Sequence, residues 1–183
     1  MGICSQSNAC VAYIYFDYKN GEAQTGDFVV RTILKQVLLP LDMIPPNLEA
    51  IYDDCCSRLK NPDKAVFVRQ LLSTAAAFPL VYILLDALDE CTSGTLEDII
   101  NLIRQFKDSG IKVFCTCRPI LINLGDRLGV STIHSISAHD EDIKNYLSIR
   151  SNKEWRHDKR FLERINRLAE GAEGKLVSSC LRC

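Results

Sequence analysis

The chain has 183 residues, 47% of them hydrophobic, with 22 Lys+Arg against 23 Asp+Glu and a formal net charge of −1. That length suits one domain with a full core and argues against two, and so balanced a charge gives no global attraction to nucleic acid or an anionic membrane. Residues 1–149 hold 13 Lys+Arg against 18 Asp+Glu and residues 150–183 hold 9 against 5, but the acids spread through that basic tail make it a solvated helix face rather than an RNA-binding surface.

The first element in chain order is VAYIYFDY, Val11 to Tyr18, a β-branched and aromatic run closed by the turn signal Lys19-Asn20-Gly21 and read as a buried strand. Thr25 can cap a helix with apolar positions at Phe28, Val29, Ile33, Val37 and Leu38, ending at Pro40. Two further helices are predicted, about Leu48 to Lys60 and about Pro62 to Phe78, the latter capped by Asn61 with Pro62 in its first position. A strand follows at Leu80 to Leu85. Thr95 and Asp98 have the spacing of a capping box, and Leu96, Ile99, Ile100, Ile103 and Phe106 form one apolar stripe of a helix that ends near Gly110. Lys112 to Cys117 reads as a strand, stopped by Arg118-Pro119. Another strand at about Thr132 to Ser137 leads into a helix carrying Ile143, Tyr146 and Leu147, and a last helix spans Lys159 to Glu170.

Strands alternating with helices predict a parallel sheet covered on both faces. Residues 1–150 are expected to form this α/β core and residues 151–183 a helical segment after it. No apolar run approaches the ~18 residues of a membrane span. The opening MGICSQ lacks the features of a secretory signal, so the nine cysteines are expected to stay reduced in a cytoplasmic protein.

The functional question sits in VYILLDALDEC, Val81 to Cys91. Asp86 ends an apolar strand, and Asp89 and Glu90 follow within four residues. Ligands of parallel α/β sheets bind at the carboxyl ends of the strands, where an unpaired carboxylate is costly to bury. A magnesium ion with phosphates would satisfy such a cluster: Asp86 holding the ion through water, Asp89 or Glu90 orienting a water toward a terminal phosphate. The plainer reading has these acids capping the helix near Thr95 or pairing with surface lysines. Arg118 is expected on the same rim.

VYILLDALDEC resembles the Walker B segment of the NACHT family in the STAND class of P-loop NTPases. KVFCTCRP resembles the sensor strand that follows, with Cys117 where family members usually carry Ser. VAYIYFDYKNGEAQT is similar to the strand after the nucleotide-binding helix in fungal NACHT proteins and the nephrocystin-type N-terminal domain, and ISAHDEDIKNYL to the segment entering the helices behind the sheet. The resemblance implies a three-layer α/β sandwich with a mainly parallel sheet, Mg2+ and ATP or ADP as ligands, Asp86 as the magnesium aspartate, Asp89 and Glu90 as water-activating acids, and Thr116 with Arg118 as the sensor of the terminal phosphate. An arginine there would neutralise charge spreading over the phosphate oxygens.

One part of the pattern is missing. A P-loop requires Gly-x-x-x-x-Gly-Lys-Ser/Thr, whose backbone N–H groups and lysine cradle the phosphates. GEAQTG, Gly21 to Gly26, has the glycine spacing but continues Asp27-Phe28, and Gly174-Lys175 lacks the distal glycine. The family places the P-loop strand between the sensor strand and the one near Thr132, so its loss implies a gap in the middle of the sheet. The chain therefore reads as a truncated NACHT-type signalling module with Mg-ATP binding weak or lost. The alternative is a non-enzymatic protein–protein interaction module that uses the gap edge or the basic tail to bind partners such as NACHT relatives. Cys115-x-Cys117 and Cys180-x-x-Cys183 could be zinc half-sites, but core cysteines fit the strand spacing better. Cys91 with His139 has no spacing that supports a thiol nucleophile.

Overall fold

The computed structural model describes residues 9–59, 61–118, 124–129, 132–136 and 178–182, with isolated positions 139, 141, 142, 145, 149, 160 and 163. The described strands are β1 (Ala9–Tyr15), β2 (Leu80–Asp86), β3 (Lys112–Cys117), β4 (Thr132–Ile136) and β5 (Ser178–Arg182), and the helices are α1 (Gly26–Leu38), α2 (Pro46–Arg58), α3 (Lys64–Ala75), α4 (Ser93–Asp108) and the short α5 (Leu124–Leu128). The sheet order is β1-β2-β3-β5-β4. The first three strands are mutually parallel, and β5 pairs antiparallel with both β3 and β4, so only β5 runs against the rest. The fold is α/β with a mainly parallel sheet, in keeping with a sandwich of P-loop type.

Each of the first three strands alternates buried and exposed residues. The buried set, Cys10, Ala12 and Ile14 with Val81, Ile83, Leu85, Val113, Cys115 and Cys117, joins α1, α3 and α4 in one core cluster through residues such as Ile33, Leu71, Ile100 and Phe106. The opposite set, Val11, Tyr13, Tyr15, Leu80, Tyr82, Leu84 and Phe114, is exposed. The sheet was expected to be covered on both faces; the helices that build the described core cover one, while the residues expected to form helices at 143–147 and 159–170 lie almost entirely outside the described ones. The gap expected between β3 and the strand near Thr132 is also corrected. Residues 178–182 occupy that interval, aligning Cys180 with Thr116 on one side and with His134 on the other.

Local chemistry accounts for the boundaries. The Thr25 hydroxyl accepts from the Phe28 N–H and opens α1 as expected, although Phe28 itself faces solvent and Val30 and Leu34 complete the buried stripe. In α4 the cap is Thr92, not Thr95: its Oγ accepts from the Thr95 N–H at 3.3 Å, and Asp98 pairs instead with Lys64 at 2.8 Å. In α3 the helix starts two residues later than expected, because Pro62 lies in the lead-in and Asp63 takes the extended cap conformation, its carbonyl accepting from Val66. Gly26 explains half of the glycine spacing in GEAQTG, since a Cβ there would lie 2.8 Å from the Asp98 Cβ and force α1 and α4 apart.

The outer edge of β1 is closed by side chains. The Gln36 amide donates to the Tyr13 carbonyl at 2.8 Å and accepts from the Tyr13 N–H at 3.0 Å. Gln24 does the same one step along, donating to the Tyr15 carbonyl and accepting from the Asp17 N–H, both at 2.9 Å. Two primary amides thus occupy the backbone groups that a further strand would use.

Candidate functional site

The parallel register sets Leu85 opposite Cys115, which brings Asp86 level with Thr116 and the carboxyl ends of β2 and β3 onto one rim. All five residues expected to form the site meet there. Asp86 Oδ1 accepts from the Thr116 hydroxyl, and Thr116 Oγ1 accepts in turn from the Ala87 N–H at 2.9 Å. One threonine therefore ties the end of β2 to the end of β3. Oδ2 of Asp86 has no hydrogen bond among the described residues.

Just beyond Asp86 the chain turns sharply. Ala87 has φ 59° and ψ 49°, a left-handed conformation that costs a residue with a Cβ about 1–2 kcal/mol. The turn leads into one 3-10 turn at Leu88–Glu90, anchored by fully buried Leu88. This reversal carries Asp89 and Glu90 to Arg118, the residue after β3. Asp89 Oδ1 accepts from the Arg118 N–H at 2.9 Å, and Oδ2 pairs with Arg118 Nε at 2.8 Å. Glu90 Oε1 pairs with Arg118 Nη2 at 2.8 Å, while Oε2 accepts from the Tyr18 N–H at 3.0 Å.

The three charged groups differ in access. The side chains of Asp89 and Glu90 are 3% and 18% exposed, whereas Arg118 is 58% exposed. Arg118 thus lies over two shielded carboxylates and pairs with both, its single positive charge offsetting one of their two negative charges. Among the described residues, these acids cap no helix and pair with no lysine. Nor do they project freely toward a ligand, because the arginine and two backbone N–H groups occupy their oxygens.

The sequence pattern did not single out Tyr18, whose N–H joins the end of β1 to the site, nor Ala87, whose backbone geometry sets the turn. A small residue after the strand-ending aspartate was the one available signal for the latter. Cys91 packs behind the acids. Its burial, and then the neighbouring charges of Asp89 and Glu90, push its thiol up to about 12. It stays protonated at neutral pH, and its stabilising preference for the thiol form is lost as pH rises from the ordinary cysteine range toward 12. That removes Cys91 as a ready nucleophile. Cys115 and Cys117 are both buried in the core.

Among the described residues, no group of three or more His, Cys, Asp or Glu side chains is placed to hold a metal ion. Magnesium does not need such a cage, since it keeps several waters and binds through one or two carboxylates plus phosphates. The available Oδ2 of Asp86 fits that limited requirement. No described helix is long and apolar enough to cross a membrane.

No curated protein and no solved structure matches the chain. The family model for the N-terminal region of nephrocystin 3 matches residues 3–118, an interval that begins before β1 and closes on Arg118, so it takes in every residue of the rim. With well over half its length matched, the chain belongs to the nephrocystin 3 N-terminal family.

Proposed function

We propose that the chain is a NACHT-type signalling module of the STAND class, retaining Walker B and sensor segments around a weak Mg-ATP site without effective hydrolysis. The observation that carries this reading is the convergence of Asp86, Thr116 and Arg118 on one carboxyl rim of a parallel sheet. Asp86 would hold Mg2+ through water. Thr116 and Arg118 would report on the terminal phosphate, with Asp89 and Glu90 as the acids that direct water. The absence of a Gly-Lys-Ser/Thr segment from the sequence removes the usual phosphate cradle, which is why the affinity is put low and turnover is not expected.

The ion pairs give the site a switching logic. A phosphate at the rim competes with Asp89 and Glu90 for Arg118, so nucleotide binding and release of the arginine are coupled. Thermal unfolding in Mg-ATP and Mg-ADP tests the reading. For a Kd of about 1 mM, 5 mM Mg-ATP stabilises by about 1 kcal/mol, a rise of about 2–4 °C in Tm. Asp86→Ala is expected to abolish the rise. An unchanged Tm for the unmodified chain, or the same rise in Asp86→Ala, sinks it.

The second reading, a non-enzymatic module that binds other proteins, including NACHT relatives, is favoured by the exposed apolar face of the sheet.

A further inference from the structure

Helix α2 is held to the body far more loosely than the other long helices. α1, α3 and α4 each bury several residues, whereas among the described residues α2 buries none, and only half-buried Leu48 packs against the core. Between α2 and the facing sides of α1 and α3 lies an open groove of about 910 Å3, within the roughly 300–1,000 Å3 of small-molecule sites. Leu34, Ile44, Leu48, Ile51 and Phe67 give it mainly apolar walls.

Two cysteines stand in the same wall. Cys55 and Cys56 are both free and both line the groove, Cys55 half-buried and Cys56 exposed. They differ from Cys10, Cys115 and Cys117, which are buried, and from Cys91, whose thiol is pushed up to about 12. Thiol chemistry requires access, so among these cysteines the adjacent pair on α2 is the one open to reaction. The Tyr52 hydroxyl, one turn earlier, hydrogen-bonds the Cys56 side chain, which raises the phenol above its usual range and leaves a donor beside that sulfur at neutral pH.

Charge narrows what the groove accepts. Among its described lining residues the one cation is Arg31, already paired with Asp27 at 2.7 Å and lying 4.1 Å from the centre of the Phe67 ring, while Glu49 and Asp53 also border the groove. A free fatty carboxylate would meet two acids and an occupied arginine. A neutral acyl chain carried on a cysteine would not. Nor does α2 suit an anionic membrane surface, which attracts helices rich in Lys and Arg, because Glu49, Asp53 and Asp54 lie along it.

We propose that the Cys55–Cys56 pair is an S-acylation site whose long-chain acyl group folds back into this groove. The donor is a long-chain acyl thioester. A cysteine sulfur attacks its carbonyl carbon, the new C–S bond forms as the donor's C–S bond breaks, and the donor leaves as a thiol carrying the proton given up by the cysteine, so no oxidant or reductant is needed. Cysteines on amphipathic helices are established acceptors of such groups, and the buried methylene groups of the chain supply the apolar contact that α2 lacks. The inference does not involve the rim and stands without the nucleotide reading.

Incubating the intact, reduced chain with palmitoyl-coenzyme A below its micelle concentration, and separately with acetyl-coenzyme A, tests it by intact mass and peptide mapping. The expected result is an acyl group on the peptide that carries Cys55 and Cys56, removed by neutral hydroxylamine and lost in the double variant Cys55→Ser, Cys56→Ser. The long-chain donor should react at least about tenfold faster than the acetyl donor, the effect of burying about two CH2 groups. Ile44→Glu, at a groove position 57% exposed, should remove that advantage and leave acetyl transfer unchanged, with far-UV circular dichroism confirming the fold of each variant. No acylation, a label confined to other cysteines, or equal rates from the two donors in the unmodified chain overturns the proposal. Binding of the acylated chain to phosphatidylserine vesicles overturns it too, by placing the acyl group in a membrane instead of the groove.

Discussion

Leu84 and Leu85 are consecutive residues of the same type on the same strand, yet one is 37% exposed and the other 1%. The covered face of the sheet is bound by volume: α1, α3 and α4 press on small and branched side chains with little slack. The open face is bound by nothing among the described residues and carries larger, flatter groups. The difference teaches that hydrophobicity alone does not mark a core. What distinguishes the two faces is shape and the presence of polar handles.

The sharpest way to test that contrast is to make the same truncation on both faces. Leu85→Ala should cost about 2–5 kcal/mol by leaving a cavity in the core. Leu84→Ala should cost about 1 kcal/mol or less, its side chain keeping part of its exposure in the folded state. Urea unfolding measures both. Equal losses would mean that the open face is as tightly packed as the covered one.

A smaller effect is expected at the rim, which both faces share. Arg118→Ala should destabilise by about 1–3 kcal/mol, because shielded Asp89 and Glu90 lose their charged donor. Lysine at 118 should recover little, since one ammonium cannot reproduce a guanidinium spanning two acids. The same unfolding measurement decides, and a neutral Arg118→Ala would show that the carboxylates are not held by the arginine. An effect of similar size to that of Leu84→Ala, and of opposite sign, concerns the turn. Ala87→Gly should stabilise by about 1 kcal/mol, since glycine adopts the left-handed geometry at no steric cost, and a drop in Tm would mean that the Ala87 methyl contributes more than its strain removes.

Much of this was legible from residues. The runs VAYIY, VYILL and KVFCTC, set among helical patterns, announced a parallel sheet, and Asp86 and Arg118 fell on its carboxyl rim as expected. That the described helices cover only one face was not legible, because strands buried on both faces and strands buried on one can share the same apolar run. The caps of α3 and α4 were misplaced because Thr92 and Thr95, or Asn61 and Asp63, are equivalent candidates until tertiary contacts choose. The strand SSCLR was missed because five residues with little apolar content gain their pairing from β3 and β4, far away in sequence. The arginine clamp over Asp89 and Glu90 was also hidden, since spacing places charges on a rim without saying which of them neutralise each other.

The two glutamines along β1 set a boundary on how the sheet can grow. Because the terminal amides of Gln24 and Gln36 hold the outward backbone groups of Tyr13, Tyr15 and Asp17, a fibril seed or an incoming peptide must displace both before it can dock on that side. Among the described residues two side chains guard against lateral accretion there, so an engineer seeking to widen the molecule would begin by shortening them.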